Sequence, residues 1–453
     1  MKISCILFVV VLNICACAQE YGFGVSLDSN LYANTPTAVN LMRGDYDNLP
    51  KAVSLKQYSP TPGNQGPTST CAGWSSAYAG RTMLDAIRYG WTGAEVDKNA
   101  FSPSFIYNQI RTKKGCSGGT SLVDALDALK NFGCLKLNEF AFDCDREVVE
   151  KDKKDATNYR IIEYRDIVGI KISKIKFVKK ALAEKHPVIL AFDCPPSFNT
   201  AKDVLIVDST DYKYWGRGHG IAVVGYDDNK YGGAFELQNS WGKNWGNEGY
   251  IWVKYNDFDH FCMWAFELID KSIKGPDVFD LQGTMLFREN NGNEMKGKFV
   301  GEVFAMNKPY PAGTLFELRI SNNEPAYVYS FSSDLTNKTY KIFPFNQRMC
   351  AYLPYSQNNV AIPDEDSYNM LDEITGTSYY CFLYSKTKLD IDKIMSDVEK
   401  AQGKFKDKVE SVLKSSMVDI ANIEYSYDNK IIFKAKSKGK SVVPVIVEIK
   451  HFK

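Results

Sequence analysis

Three short segments, in a fixed order, constrain this chain more than any other feature of its sequence. They read QGPTSTCAGW over residues 65–74, GHGIAVVGY over residues 218–226 and QNSWG over residues 238–242, with WG at 245–246 and GY at 249–250 just after. Together they supply a cysteine nucleophile, a histidine base and an asparagine that can orient the base, which are the groups that covalent acyl transfer requires. A fold for this sequence has to bring the three segments to one cleft.

The candidate nucleophile is Cys71 and the candidate base is His219. A thiol attacks a carbonyl only as a thiolate, and the N-terminus of a helix that begins at Cys71 would favour the anion. Glycines on both sides of His219 leave its ring unshielded at the entry of an apolar, strand-like run. The other histidines, His186, His260 and His451, are weaker candidates, for which a solvated surface position suffices.

Asn239 and Gln65 complete the set. The side chain of Asn239 can accept a hydrogen bond from the imidazole and fix the ring, and Trp241 can shield that bond from water. The side-chain amide of Gln65, together with the backbone amide of Cys71, can stabilise an oxyanion. We therefore predict Cys71, His219, Asn239 and Gln65 as the catalytic residues.

These segments resemble the papain family of cysteine peptidases. In that family a glutamine lies six residues before the nucleophilic cysteine, as Gln65 lies before Cys71, and the histidine and asparagine segments are similar to residues 218–226 and 239–250. The run GCSGG over residues 115–119 resembles a further family motif, whose paired glycines line the substrate groove. The resemblance covers about residues 49–270. It implies an α+β fold of two lobes, one mainly helical and one a β-barrel, which meet at the catalytic cleft.

The resemblance also implies which residues contact the substrate. Gly118, Gly119, Gly218 and Trp241 are the candidate substrate-binding residues, and Gly118 and Gly119 are expected to pair with an extended peptide. The expected activity is that of an endopeptidase, which hydrolyses peptide bonds through a thioester on Cys71. The expected partner is a protein or peptide substrate, and neither a metal nor another cofactor is expected.

The sequence departs from the family pattern at two positions. Thr68 stands where the family usually has a cysteine that is bonded to the one in the Gly-Cys-x-Gly-Gly motif, so Cys116 lacks its usual partner. Ala72 follows the nucleophile in place of the usual tryptophan. In addition, the region before Leu49 is too short for the long inhibitory propeptide of animal and plant members, although a short leader could still plug the cleft.

Length and composition bound the organisation of the chain. At 453 residues it is too long for one compact core, and a net charge of +1 argues against a general nucleic-acid binder. The composition changes near residues 272–276, which marks the predicted domain boundary. We expect a signal peptide over residues 1–18, a leader over 19–48, a papain-like peptidase domain over 49–271 and, over 277–453, a β-rich, sandwich-like domain with one long helix.

The N-terminus carries a targeting signal. Lys2 precedes an apolar run, residues 6–12, that is too short to span a bilayer but suits a secretory signal. Small residues before Gln19 favour a simple cut there, whereas residues 14–17 resemble a bacterial lipobox that would make Cys17 a lipidated first residue. Both alternatives place the mature protein outside the cytoplasm, either secreted or at the periplasm or cell surface. Membrane attachment is expected only through a lipidated Cys17.

The cysteines fall into three regions of the chain. The chain has 11, of which three belong to the signal region. Without Cys71 the middle region keeps an odd number, so at least one of its cysteines stays free or pairs unexpectedly. Cys350 and Cys381, in the C-terminal region, could pair with each other, although sequence alone does not give connectivity. No pair has the spacing of a zinc site.

The C-terminal region resembles, more weakly, an uncharacterised bacterial domain family that is appended to other enzymes. The likeness lies in ISNNEPAYVY over residues 320–329 and in residues 376–389. Two roles stay open: a domain that only spaces or stabilises the peptidase, or one that binds another protein or a surface.

Two other classes of function stay open for the whole chain. A catalytically silent binding protein could keep the same scaffold, and an amidase or acyl transferase could use the same triad with another acceptor. We favour a secreted bacterial cysteine peptidase because all four catalytic roles occur together and in the family's order. Side-chain preference does not follow from the sequence. Glu267 would favour a basic substrate side chain if it reached a pocket, and a surface strand position is the alternative.

Overall fold

The computed structural model describes residues 21–168, 173–271 and 279–453. The predicted signal peptide, with Cys17, and the predicted boundary at residues 272–276 lie outside the described residues. The predicted α+β architecture is confirmed. Helices and one antiparallel sheet form the N-terminal part, and two further sheets form the β-rich C-terminal part.

A long helix organises the N-terminal part. It begins as α1 (Cys71–Gly73), continues through a π-helical stretch (Trp74–Arg81) and ends as α2 (Thr82–Tyr89), so the helix predicted over residues 71–88 is present. Gly90 stops it in the left-handed conformation (φ 71°), which a glycine adopts without steric cost. The other helices of this part are α3 (Ala94–Lys98), α4 (Pro103–Ile110), α5 (Leu122–Asn131), α6 (Glu150–Ala156), α7 (Lys174–Ala183) and α8 (Tyr255–Phe261).

An antiparallel sheet faces this helix. Its strands are β1 (Ala52–Ser54), β2 (Glu163–Asp166), β3 (Val188–Asp193), β4 (Gly218–Asp227), β5 (Ala234–Gln238), β6 (Tyr250–Lys254) and β7 (Cys262–Ile269). The strand order is β2-β7-β3-β4-β5-β6, and β1 pairs with β4. Strands β3 and β5 are buried along their whole length, and the almost continuously apolar sequence of β3 suits that burial. Strand β2 lies at one edge of the sheet.

The long helix packs directly on β4 because Gly220 leaves room for it, and on α4 because Gly73 does. A Cβ on Gly220 would lie 2.9 Å from the carbonyl oxygen of Cys71, and one on Gly73 would lie 2.2 Å from that of Pro103, the first residue of α4. Both helix and strand are therefore held at backbone contact at the point where the chain places its nucleophile.

The C-terminal part consists of two sheets and two helices. Its strands are β8 (Leu281–Glu289), β9 (Gly297–Val300), β10 (Val303–Met306), β11 (Tyr310–Pro311), β12 (Leu315–Asn322), β13 (Ala326–Ser333), β14 (Thr339–Phe343), β15 (Tyr352–Leu353), β16 (Asn358–Ile362), β17 (Asn369–Met370), β18 (Gly376–Ser385), β19 (Ile423–Tyr427), β20 (Ile431–Ala435) and β21 (Val442–Phe452). One sheet has the order β14-β13-β18-β21-β10-β9, with β11 on β21 and β15 on β13. The other has the order β16-β12-β8-β20-β19, with β17 on β12.

The expectation of one long helix in this part, kinked at Gly403, is wrong. Two helices, α9 (Ile391–Lys400) and α10 (Phe405–Leu413), take its place. The backbone of Ala401 is extended (ψ 153°) and ends α9, and Gly403, with a φ of 109°, continues the break before α10 begins.

One disulfide joins Cys116 to Cys144, so Cys116 has a partner other than the one usual in the papain family. Within the described residues the remaining cysteines are free and buried, and Cys350 and Cys381 do not pair with each other. Across the same residues no helix is both long and apolar enough to cross a membrane, and no cluster of three or more His, Cys, Asp or Glu side chains has the arrangement of a metal site.

Candidate active site

The cleft begins at Cys71, the first residue of the long helix. Its side chain is completely buried, and its carbonyl oxygen accepts a hydrogen bond from the hydroxyl of Ser75 at 2.9 Å. A helix N-terminus presents unpaired amides and the positive end of the helix dipole, both of which stabilise a thiolate. The fold thus gives Cys71 the position that the sequence predicted for a nucleophile.

His219 and Asn239 are brought together by neighbouring strands. His219 is the second residue of β4, and Asn239 directly follows β5, which pairs with β4. The Nε2 atom of His219 lies 2.7 Å from Oδ1 of Asn239. Because the amide of Ser240 also donates to that Oδ1 (2.8 Å), the oxygen of Asn239 faces the ring and Nε2 carries the proton.

This bond determines the state of the other ring nitrogen. With the proton on Nε2, a neutral His219 has an unprotonated Nδ1, which is buried and has no partner among the described residues. The backbone of the next residue, Gly220, touches Cys71. The unpartnered Nδ1 is therefore the ring atom of His219 that is free to accept a proton.

Gln65 is held by Ser240. The hydroxyl of Ser240 donates to Oε1 of Gln65 at 2.6 Å, and the backbone amide of Gln65 donates to the carbonyl of Ser240 at 2.8 Å. With Oε1 occupied in this way, Nε2 of Gln65 is the donor, and it bonds to the carbonyl oxygen of Thr68 at 2.6 Å and to that of Gly22 at 3.1 Å. Ser240 thus connects the oxyanion donor to Asn239. The predicted QNSWG segment contains it, but its role as a connector was not predicted.

The leader occupies the cleft. Residues 21–27, which we call the plug, run through it in an extended conformation. The carbonyl oxygen of Gly22 accepts from Nε2 of Gln65 at 3.1 Å, and the amide of Gly24 donates to the carbonyl of Gly218 at 3.2 Å. Thr120 completes the contact on the other wall, since its amide donates to Gly24 and its carbonyl accepts from Ser26, both at 2.8 Å.

Aromatic side chains anchor the plug on the side of Trp241. The ring of Tyr21 stacks on Trp241 with a centroid distance of 4.2 Å. Phe23 meets the edges of both Trp241 and His219, at 5.4 and 5.7 Å, and the guanidinium of Arg217 lies 4.0 Å from its centroid. The alternation Tyr-Gly-Phe-Gly places two rings on one wall and leaves the backbone free to approach the other. This alternation is the signal in the sequence that marks the plug.

The predicted substrate-binding residues divide into two groups. Gly218 and Trp241 contact the plug directly, and Gly119 lies so close that an added Cβ would be 3.1 Å from the carbonyl oxygen of Gly24. Gly118 instead packs against residues 112–113, and its carbonyl accepts from the hydroxyl of Tyr107 at 2.6 Å. The backbone pairing expected of Gly118 and Gly119 is made by Thr120, the next residue along.

Burial under the plug changes the ionisation of both reacting groups. Desolvation raises the pKa of the Cys71 thiol to about 11, although backbone hydrogen bonds from Gly220 and Gly24 lower it in part. Desolvation lowers the pKa of His219 to about 4, against the hydrogen bond to Asn239, which raises it. In the plugged cleft both groups are therefore neutral near pH 7, and no thiolate is ready to attack.

Glu267 is neither in a substrate pocket nor on the surface, so both alternatives weighed for it are wrong. It is completely buried, forms an ion pair with Arg165 (2.6 Å) and is hydrogen-bonded to Nδ1 of His186 (2.7 Å). Burial by itself would raise its pKa, but Arg165 and His186 outweigh that effect and lower the pKa to about 2. His186 therefore has a structural partner rather than a solvated position.

The two remaining histidines also differ from each other. His260 is exposed, as expected, and its ring contacts Tyr212 and Phe261. His451 is only 4% exposed and lies 3.0 Å from the hydroxyl of Ser378, so the surface position expected for it is wrong. None of these side chains belongs to the cleft.

Comparison with known proteins bears on this arrangement. Residues 101–268 match the family model described as papain family cysteine protease. This segment has the papain-family cysteine peptidase fold. It includes His219, Asn239 and the GCSGG motif but begins after Gln65 and Cys71, so the positions of those two residues rest on the geometry given above.

Individual relatives are distant. The chain is 25% identical over 195 residues to an uncharacterized peptidase C1-like protein of Acanthamoeba polyphaga mimivirus, covering 39% of this chain and 62% of that protein. It is 23% identical over 225 residues to cysteine protease XCP2 of Arabidopsis thaliana, covering 47% and 57%, and 26% identical over 197 residues to cathepsin K of Mus musculus, covering 43% and 55%. The chain thus spans between 55% and 62% of the length of these three relatives.

Two solved cysteine protease structures are similar to this chain over 56% of its length. Xylellain, a cysteine protease from Xylella fastidiosa, superposes with a TM-score of 0.46 at 21% identity, over 56% of this chain and 97% of that one. The Amb a 11 cysteine protease of ragweed pollen, in its proform, gives a TM-score of 0.44 at 21% identity, over 56% and 77%.

Proposed function

We propose that this protein is a cysteine endopeptidase that hydrolyses peptide bonds through a thioester on Cys71 and is held latent by its own leader. The observation that carries the proposal is the buried, unpartnered Nδ1 of His219, fixed by the Asn239 bond beside the first residue of a helix. The proposal is supported by the match to the papain family over residues 101–268. It is supported further by the plug, because a groove that holds an extended peptide by its backbone suits peptide substrates.

The reaction proceeds in two steps. His219 takes the thiol proton at Nδ1, and the sulfur of Cys71 attacks the carbonyl carbon of the substrate. Nε2 of Gln65 and the amide of Cys71 donate to the oxyanion, and His219 returns its proton to the leaving amine. Water, deprotonated by His219, then attacks the thioester, which releases the carboxylic acid and restores the thiol.

An endopeptidase is favoured over an exopeptidase because the plug lies along the groove on both sides of Phe23, whose ring contacts His219. It extends from Tyr21, which stacks on Trp241, to Ser26, which pairs with Thr120. A site that accommodates such a segment needs no free substrate terminus.

Latency follows from the contacts of the plug. It occupies Nε2 of Gln65 with the carbonyl of Gly22 and covers both Cys71 and His219. A substrate has to displace it, so the intact chain is expected to turn over slowly until the plug is removed.

Chemical labelling tests the proposal. The mature protein, before and after removal of the plug, is treated with an epoxysuccinyl thiol inhibitor, and the label is located by peptide mass spectrometry. We expect labelling at Cys71 only after removal, loss of labelling and of peptide hydrolysis in His219→Ala, and retention of both in the control His260→Ala. Residual hydrolysis by a folded Cys71→Ala variant would refute the thioester mechanism.

The alternative functions give different outcomes in the same experiment. A silent binding protein with this scaffold would leave Cys71 unlabelled after the plug is gone. An amidase or acyl transferase would label, but mass spectrometry of its products would show release from a non-peptide amide or transfer to an added amine. Only new carboxyl and amino termini in a cleaved peptide agree with the proposed hydrolase.

We also propose that the protein acts outside the cytoplasm of a bacterial cell. The short apolar run after Lys2 supports secretion, and the Cys116–Cys144 disulfide is typical of an oxidising compartment. Mass spectrometry of the mature N-terminus distinguishes the two forms, because a simple cut leaves Gln19 first whereas lipoprotein processing leaves a diacylated Cys17.

A further inference from the structure

We infer that the leader consists of two devices, the releasable plug and a strap that stays in place after activation, and that the C-terminal part of the chain exists in part to hold the strap. The strap is residues 35–46. The inference rests on the proposed function in one respect, namely that the cleft blocked by the plug is an active site. It gives the C-terminal part a role that neither the papain fold nor the catalytic residues supply.

The strap lies between the two parts of the chain and bonds to both. The amide of Ala38 donates to the carbonyl of Asp166 at 2.8 Å, and the amide of Asp166 donates to the carbonyl of Pro36 at 2.7 Å. Thr37 thus adds a parallel bridge to β2, the edge strand of the peptidase sheet. An edge strand offers unpaired backbone groups, and an added strand satisfies them.

The opposite side of the same residues pairs with the C-terminal part. The amide of Thr37 donates to the carbonyl of Arg348 at 2.7 Å, and the amide of Cys350 donates to the carbonyl of Thr37 at 2.8 Å. Thr37 is therefore bridged on both sides, to Asp166 and to Met349. The backbone around Thr37 thus satisfies backbone groups of both parts of the chain. Without it, backbone amides and carbonyls at Asp166 and next to Met349 would lose their partners.

A second contact further along the strap engages β16. The amide of Met42 donates to the carbonyl of Asn359 at 2.7 Å. Both oxygens of Asp45 accept from Asn359, one from its backbone amide (3.0 Å) and one from its side chain (2.7 Å). The strap ends at Tyr46, which is buried against Phe177 of α7.

The plug and the strap are separated by a turn that is open to cleavage. Residues 28–31 are all exposed, and Ser29–Tyr32 forms a single short 3₁₀ turn. Exposed turns of this kind are preferred sites of proteolytic nicking. A cut there, by a second peptidase molecule or another endopeptidase, frees the plug, whereas the strap keeps its backbone bonds to both parts.

Hydrogen exchange on a cleavable chain tests the inference. A recognition sequence for a site-specific endopeptidase is inserted between Asn30 and Leu31 of the full Cys71→Ala chain, which cannot digest itself. After cutting, we expect the amides of Gly24 and Ser26 to lose protection by at least tenfold. The amides of Thr37, Ala38 and Met42 should keep theirs. Loss of protection at Thr37 and Ala38 together with the plug would overturn the inference.

A pair of point variants tests the role of the C-terminal part. Asp45→Ala removes both bonds to Asn359, whereas Asp47→Ala removes only an exposed ion pair with Lys176 of α7. We expect Asp45→Ala, and not Asp47→Ala, to speed exchange at the amide of Met42 by about tenfold and to raise exchange at Cys350. Equal effects of the two variants would show that Asn359 does not hold the strap, which would also overturn the inference. Hydrogen exchange does not require catalytic activity, so these experiments test the strap alone. A failure of the proposed peptidase function would appear only in the labelling and hydrolysis experiments.

Discussion

The side-chain amide of Gln65 donates a hydrogen bond to the carbonyl oxygen of Gly22 at 3.1 Å, inside a buried cleft. The leader therefore occupies the donor that a reacting carbonyl would need. This contact depends on close backbone approach, because Gly22 lies directly against the loop that leads to Cys71. A Cβ on Gly22 would stand 1.8 Å from the carbonyl oxygen of Thr68, and one on Gly24 would stand 2.2 Å from that of Ser69.

The first prediction is that Gly22→Ala activates the intact chain. The new methyl group meets backbone, which cannot move aside cheaply, so the plug has to leave the cleft. We expect labelling of Cys71 by an epoxysuccinyl inhibitor to accelerate at least tenfold without any cut in the leader. Gly44→Ala is the matched control, since no atom lies within 4 Å of its added Cβ. If both variants label at the rate of the unmodified chain, the plug does not control access.

The catalytic positions could be predicted from the sequence because each lies in a short segment whose neighbours fix the local backbone. Cys71 begins a helix, His219 enters a strand between glycines, and Asn239 follows the paired strand. The local backbone conformation therefore limits where each of the three side chains can lie. The α+β architecture was predictable because the motifs resemble those of the papain family, and the mixed helix and strand signals over residues 49–270 agree with that resemblance.

Other features depend on contacts between distant residues, which no local pattern records. The plug binds largely through its backbone, and many sequences can make such bonds. Glu267 is buried because Arg165 of β2 and His186 pair with it, and the strand alone does not reveal that environment. The break between α9 and α10 is the opposite case, because Gly403 marks it locally and a kink was expected there, although the helical period runs across it.

The second prediction is that acid loosens the plug. Burial lowers the pKa of His219 to about 4 when the plug is docked, whereas an exposed histidine has a pKa of about 6.5. Between these two values the open form binds more protons than the closed form, so docking weakens as the pH falls from about 6.5 to 4 and is unaffected by His219 above that range. The charge of Arg217 acts in the same direction, because it also disfavours a protonated ring.

Hydrogen exchange of Gly24 and Ser26 in the Cys71→Ala chain measures this effect, after correction for the intrinsic pH dependence of exchange. Protection should fall by up to about tenfold per pH unit through the window. His219→Gln in the same chain should give a flat profile, because the titrating group is gone. A fall of equal size in His219→Gln would assign the effect to another group.

The third prediction concerns Glu267 and stability. Its removal leaves the charge of Arg165 buried without its partner, and breaking a buried ion pair costs about 3–5 kcal/mol. We expect Glu267→Ala to lower the free energy of unfolding by that amount in urea titrations. In the control Asp366→Ala, which breaks an exposed ion pair with Arg43, the free energy of unfolding should stay nearly unchanged, because solvent screens exposed ion pairs.

The fourth prediction concerns the effect of Glu267 on the pH dependence of stability and on substrate specificity. Its lowered pKa means that the stability it contributes is present above about 4.5 and is lost as the pH falls towards 2. Because the side chain is outside the cleft, folded Glu267→Gln should keep the same ratio of kcat/KM for basic and apolar peptide substrates. A selective loss of activity on basic substrates would place the carboxylate in a pocket after all.

The last prediction concerns the disulfide between Cys116 and Cys144, which lie 28 residues apart in sequence. Closing a loop of that length removes conformational entropy from the unfolded chain and stabilises the fold by about 3–4 kcal/mol. The bridge also holds the segment that leads to Thr120, whose backbone pairs with the plug. Replacing both cysteines by serine should lower the unfolding midpoint in calorimetry and make stability insensitive to reductant, whereas the unmodified chain should lose the same amount when reduced. If reduction leaves the unmodified chain as stable as before, the loop is held by its packing and not by the bridge.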